Sequence, residues 1–270
     1  MSASDIERAR VIAFVNQKGG AGKTTTCAAT ADVLASMGKR VLCVDVDPQE
    51  GNLTLVLQAD RDDLNGTAEL IDAVLDRKSV EAEDYVQHLE RCDVVAASSS
   101  LIATMVRLSG AIGRESKLAR GLASVRGLYD YVLVDTPGNL EILTVNALVA
   151  ADDVIIPTTA DLCSASGAKA VFEAISAVRE ECNPSLRTAG VLLTNYRAST
   201  NLHREFADNI ARLCESEGVR LFETRIRQSI KASEGLSFGT PLGELYGTST
   251  VSRGIVSDYR DFVAEYLSTL

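Results

Sequence analysis

Histidine is nearly absent from this chain: His88 and His203 are the only two. That excludes a histidine-rich metal centre and a triad built on a histidine base. Proline is scarce, at 5 of 270 residues, and no stretch rich in proline or serine marks a linker. No apolar run approaches the roughly 20 residues of a membrane span. The segment Met1 to Arg10 has no apolar core of the kind a signal peptide needs. Six cysteines are scattered with no C-x-x-C pair, so a disulfide framework is not expected. A basic excess is missing too: 27 Lys and Arg against 37 Asp and Glu give a formal charge of −10. At face value that argues against a nucleic-acid binder. Together these absences lead to the expectation of a cytoplasmic globular protein.

What is present is an ordinary core composition, 46% hydrophobic and 24% charged. Short apolar runs recur at Val11–Val15, Arg40–Val46, Asp93–Ala97, Tyr131–Val134, Val154–Ile156 and Gly190–Leu193. Such runs suit strands buried on both faces. Helical patterns separate most of them, the first from Lys23 to Met37 and the clearest from Ala165 to Cys182. This alternation predicts a doubly wound, mostly parallel α/β sheet flanked by helices. The expected organisation is a short tail, residues 1–10, and one domain, residues 11–270.

Between the first strand and first helix lies Gln17-Lys18-Gly19-Gly20-Ala21-Gly22-Lys23-Thr24-Thr25. Its glycines allow backbone N–H groups to turn inward around phosphate oxygens, and the helix start adds a positive dipole end. Lys23 is a cation for β and γ phosphates, and the Thr24 hydroxyl is placed for Mg²⁺. The P-loop pattern G-x-x-x-x-G-K-[ST] fails at one position, where Gln17 replaces the first glycine and a second lysine, Lys18, follows. Two further strands end in acids: Val44-Asp45-Val46-Asp47-Pro48 and Val132-Leu133-Val134-Asp135-Thr136-Pro137. Strand ends are where open α/β sheets bind ligands, and Asp135 has the form of a Walker-B aspartate. If strand geometry persists past Asp45, Asp45 and Asp47 share one face.

These segments, with Gly51-Asn52-Leu53-Thr54, Leu192-Leu193-Thr194 and Ser233 to Gly239, resemble the ParA/Soj partition ATPases of the deviant-Walker-A, MinD/ParA superfamily. The resemblance runs in family order from residue 11 to about 240. It implies a P-loop fold, ATP and Mg²⁺ as cofactors, and a homodimer that forms on ATP binding. Gly19, Gly20, Ala21, Gly22, Lys23, Thr24 and Thr25 would bind the nucleotide, with Asn195 reading the adenine. Thr24, Asp45 and Asp135 would serve the metal, Asp45 in support. Asp47 would orient the attacking water. Lys18 would reach phosphates bound to the partner subunit, physically like an arginine finger. One departure is Gly138, where relatives often carry a second proline.

The resemblance also implies binding to non-specific DNA, activation by a ParB-like centromere-binding adaptor, and a nucleoid-associated location. The charge objection weakens when charge is followed along the chain. Residues 58–93 carry four basic and eleven acidic groups, whereas residues 187–231 carry eight and five. Arg225, Arg227 and Lys231 lie in that basic segment and are the expected DNA contacts. The expected function is cargo positioning, in plasmid or chromosome partition, by a slow ATPase stimulated by DNA and a partner. Two other readings are a MinD-like membrane-cycling regulator and a positioner of non-DNA cargo. The first needs a basic amphipathic end, but Ile255 to Leu267 carries one Arg and three acids, so it is expected to pack on the domain rather than on a membrane.

Overall fold

The computed structural model describes residues 8–49, 53–60, 65–162, 164–229 and 250–270, the last with side chains from 254. Seven strands form one sheet: β1 (Arg10–Phe14), β2 (Val41–Asp45), β3 (Asp93–Val95), β4 (Tyr131–Asp135), β5 (Asp153–Thr159), β6 (Arg187–Tyr196) and β7 (Leu221–Arg227). The order is β3-β2-β4-β1-β5-β6-β7, and every neighbouring pair is parallel. Parallel pairs need crossovers, supplied by α1 (Lys23–Ser36), α2 (Leu53–Val56), α3 (Thr67–Leu75), α4 (Ser100–Ser109), α5 (Lys117–Gly121), α6 (Ile142–Ala150), α7 (Ser164–Glu181) and α8 (Asn201–Ser216), while α9 (Thr250–Leu267) follows the last strand.

Alternation along each strand divides the core. Val11 and Ala13 of β1 face a layer built from α3 to α8. Ile12 and Phe14 face the other layer, built from α1, α2 and α9. Both faces are therefore covered, which is why the central strands read as continuous apolar runs. In α9, Ile255, Val256, Tyr259, Phe262, Val263 and Tyr266 are all buried. Their spacing is that of one helical stripe. Phe262 meets Phe222 of β7 edge to face, centroids 5.0 Å apart. The apolar side of α9 is thus taken up by the chain's own core, as the sequence led us to expect.

The observed strands extend or trim the predicted ones by a few residues. β7 was not expected from the sequence. It is an edge strand whose residues alternate between buried and exposed, with Phe222 and Ile226 facing the core, so it presents no apolar run. Lys231, the Ser233–Gly239 segment and Gly51-Asn52 lie outside the described residues. The sheet reverses its winding direction at β1, which lies between β4 and β5. That switch point opens a crevice beyond the carboxyl ends of the strands.

Candidate phosphate-binding site

The loop leaving β1 is fixed from below by Asn16, which is 2% exposed. Its Nδ2 donates to the Pro157 carbonyl (2.6 Å), and its Oδ1 accepts the Lys18 N–H (2.9 Å). Gly20 and Gly22 adopt φ of 75° and 85°. Side chains rarely tolerate that region, so glycine is required there. Gly22 caps α1 without any side-chain cap, leaving the first helical N–H groups for an anion. A Cβ on Gly19 or Gly20 would meet nothing within 4 Å, so the cradle opens outward. The Thr194 hydroxyl donates to the Ala21 carbonyl (2.8 Å), tying the end of β6 to the loop.

Three acids surround the start of α1. Asp45 and Asp135 are register partners on adjacent strands, and both are fully buried. Thr24 Oγ1 donates to Asp135 Oδ2 at 2.6 Å, while Asp135 Oδ1 is buried without a hydrogen-bond partner. Burial first, then repulsion from Asp45, pushes the Asp135 carboxyl well above the ordinary range. Burial also raises Asp45, against hydrogen bonds from Thr54 and Asp47. Asp45 Oδ1 accepts the Asp47 N–H (3.0 Å), and Oδ2 accepts both the N–H (2.7 Å) and hydroxyl (2.6 Å) of Thr54. With both oxygens engaged, Asp45 is placed to support the site rather than to ligate directly.

Strand β2 ends at Asp45, and Asp47 lies in the segment that follows it. Asp47 is half-exposed, and its Oδ1 accepts the Gln49 N–H at 3.0 Å. Lys23 is 7% exposed; burial lowers its pKa, against the opposing charges of Asp135 and Asp47. One buried lysine beside two buried carboxylates leaves unbalanced negative charge, and Asp135 has a spare oxygen. That donor set fits a hard divalent cation such as Mg²⁺ at Thr24 and Asp135. Gly138 brings the segment after Asp135 against the loop: a Cβ there would sit 3.5 Å from the Gly19 nitrogen.

Lys18 is held within its own chain. Its ammonium pairs with Asp161, just past β5, and donates to Thr159 Oγ1 at 3.2 Å. Burial alone would raise the Asp161 pKa, but hydrogen bonds from Lys18, Thr159 and Ser164 hold it at about 2. Sequence reading missed Asp161; its signal was the same as that of Asp47 and Asp135, an acid at the carboxyl end of a strand.

The remaining expected residues among those described lie in α1, β6 and β7. Asn195, next to last in β6, is in a left-handed conformation, φ 50°, which asparagine tolerates. Thr25 is half-buried at the start of α1. Arg225 lies 4.7 Å over the Tyr196 ring and donates to its hydroxyl at 2.8 Å. Arg227 is bidentate to Asp258 of α9, at 2.8 and 2.7 Å, so its charge is already balanced.

A model of the AAA domain family (AAA_31) matches residues 9–188. The sporulation initiation inhibitor protein Soj of Bacillus subtilis is 35% identical over 233 residues, covering 86% of this chain and 90% of Soj. The chain belongs to the ParA/Soj family of partition ATPases. A second ParA/Soj relative, the chromosome partitioning protein ParA of Caulobacter vibrioides, is 34% identical over 244 residues, 90% of this chain and 88% of that one. In three dimensions, this family member is similar to cobyrinic acid a,c-diamide synthase of Mycobacterium smegmatis, solved with ADP and magnesium. The TM-score is 0.78 and the identity 30%, over 95% of this chain and 93% of that one. Among the described residues, no helix is long and apolar enough to cross a membrane.

Proposed function

We propose that this chain is an ATP-switched partition ATPase that dimerises around ATP, binds non-specific DNA as a dimer and positions a cargo. The observation that carries the reading is the conjunction at the loop: a Thr24–Asp135 pair whose buried carboxylate keeps one oxygen without a partner, and a second lysine, Lys18, at the mouth of the cradle. The ParA and Soj relatives support partition as the task.

Gly19 to Thr25 and the start of α1 bind the triphosphate through backbone N–H groups. Lys23 neutralises the β and γ phosphates. Thr24 and Asp135 would hold the metal, while Asp45 keeps the Thr54 and Asp47 segment in place. When bound, Mg²⁺ would supply charge compensation for the phosphates. Asp47 orients the attacking water. Lys18 leaves Asp161 and adds a cation to the partner subunit's nucleotide, where charge develops in the transition state. Two chains then present two basic edges to one duplex, which steepens DNA affinity. A ParB-like adaptor raises the turnover. The membrane-cycling alternative needs a free amphipathic helix, and α9 uses its apolar face on β7 and α1.

The test measures ATP turnover with and without non-specific duplex DNA, alongside molar mass by light scattering in ATP and in ADP. Expected are turnover below ~1 s⁻¹ for the chain alone, stimulation by DNA with an adaptor, and a dimer in ATP only. Turnover that requires a small-molecule acceptor and ignores DNA would sink the reading and favour a synthase like the mycobacterial one.

A further inference from the structure

A second concave site lies far from the phosphate loop. It is a half-open cavity of about 710 Å³ between the end of α3, the turn after α4 and the start of α5. The start of α3 adjoins the nucleotide site, where Thr67 donates to the Asp45 carbonyl at 2.7 Å. The cavity is at the opposite end of that nine-residue helix, roughly 13 Å along its axis.

Four cations line it: Arg77, Lys78, Lys117 and Arg120. Their sign opposes that of the chain as a whole, whose formal charge is −10. The acids nearby are engaged elsewhere. Arg107 holds Asp72 (2.7 Å) and Asp76 (2.5 Å), and Arg114 holds Glu115 (2.9 Å). Lys78 shares Asp76 at 3.5 Å. Among the described residues, the side chains of Arg77, Lys117 and Arg120 make no hydrogen bond and no close ion pair; the acid whose charge reaches Lys117 is Glu115, which Arg114 already holds. Lys117 is the informative member, because it is only 8% exposed. A cation held mostly out of water, with only a counter-charge already shared with Arg114, costs free energy that an entering anion would offset. Val80 and the 94% exposed Ile112 add apolar surface at the rim.

We propose that this cavity binds a small polyanion: two or more phosphate, sulfonate or carboxylate groups on a compact, partly apolar body. Its volume falls in the range of small-molecule sites, about 300–1,000 Å³. A DNA duplex presents its phosphates on a convex surface and cannot bring them to Lys117 inside a concavity. Occupancy bears on the rest of the fold through α5. That helix is tied to α6 where the Leu118 N–H donates to Asn146 Oδ1 at 3.1 Å, and α6 follows the strand that ends in Asp135.

The test uses the full chain with ADP and Mg²⁺ saturating, so that the phosphate loop is filled. The probe is fluorescent 8-hydroxypyrene-1,3,6-trisulfonate, followed by anisotropy, with tripolyphosphate plus equimolar Mg²⁺ as competitor. Expected is saturable binding displaced by tripolyphosphate, weakened about tenfold or more by Arg77→Gln with Arg120→Gln and separately by Lys117→Met. Affinity for ADP should stay within about twofold of the parent, since none of these residues touches the loop. Arg77 and Arg120 are exposed, so the double variant tests the site without disturbing the core. No saturable binding, binding undiminished in the double variant, or displacement by an acidic peptide but not by tripolyphosphate would each overturn the proposal.

Discussion

Lys18 and Asp161 form an ion pair across the mouth of the phosphate loop, joining the residue before Gly19 to the turn after β5. The pair occupies a lysine whose proposed task lies in the partner's site. Within one chain, Asp161 therefore competes with dimerisation for the same cation.

The first prediction follows from that competition. Asp161→Asn should let the ATP-dependent dimer form at lower protein concentration, by roughly two- to fivefold, the range of a partly exposed ion pair. Asp161 is depressed to about 2 from an ordinary 3.8. Its contribution is therefore fully present above the ordinary value and lost only as pH falls towards 2. The shift measured by light scattering should be constant from about pH 6 to 8. An unchanged midpoint would mean that Asp161 does not restrain Lys18.

Asp47 is half-exposed at the site and points its backbone N–H at Asp45. Asp47→Ala should still bind ATP and dimerise, while turnover falls by at least ~100-fold. The DNA-bound state would then persist, read as a slow dissociation in ATP. Normal turnover would move the water-orienting role to another residue.

Asp135 keeps one oxygen on Thr24 and one without a partner. Asp135→Asn can preserve the first contact but not the charge. In excess chelator, variant and parent should bind ATP alike. Added Mg²⁺ should tighten ATP binding for the parent by roughly 10- to 100-fold, the scale of charge-assisted contacts, and much less for the variant. Equal tightening in both would remove Asp135 from the metal site.

The two arginines of β7 should separate. Arg227 is bidentate to Asp258, which is 7% exposed, so Arg227→Ala leaves a largely buried carboxylate unpaired. Half the Arg227 side chain is in solvent, and the cost should be about 1–2 kcal/mol, or about 2–4 °C in Tm. Among the described residues Arg225 has no carboxylate partner; Arg225→Ala should leave Tm nearly unchanged and reduce the salt slope of DNA binding by about one. A flat Tm for Arg227→Ala, with weakened DNA binding, would reverse these assignments.

The sequence by itself determined the sheet, the loop and its acids. Central parallel strands are buried on both faces, so Val11–Val15 and Tyr131–Val134 stand out as apolar runs. The glycines and the Lys23-Thr24 pair are constrained by backbone conformation and phosphate chemistry, both of which are local. Tertiary structure alone decided what depends on distant neighbours. β7 alternates as an edge strand does, so only its pairing with β6 and the packing of α9 reveal it. Asp45 is fully buried and Asp47 half-exposed, because the strand ends between them. Arg227 is a basic residue in the sequence but a neutralised one in the fold, because α9 brings Asp258 from 31 residues away. Lys18 reads as a free cation until β5 delivers Asp161 from 143 residues away. Local patterns encode backbone conformation and burial; charge pairing between remote segments is set only when the sheet brings them together.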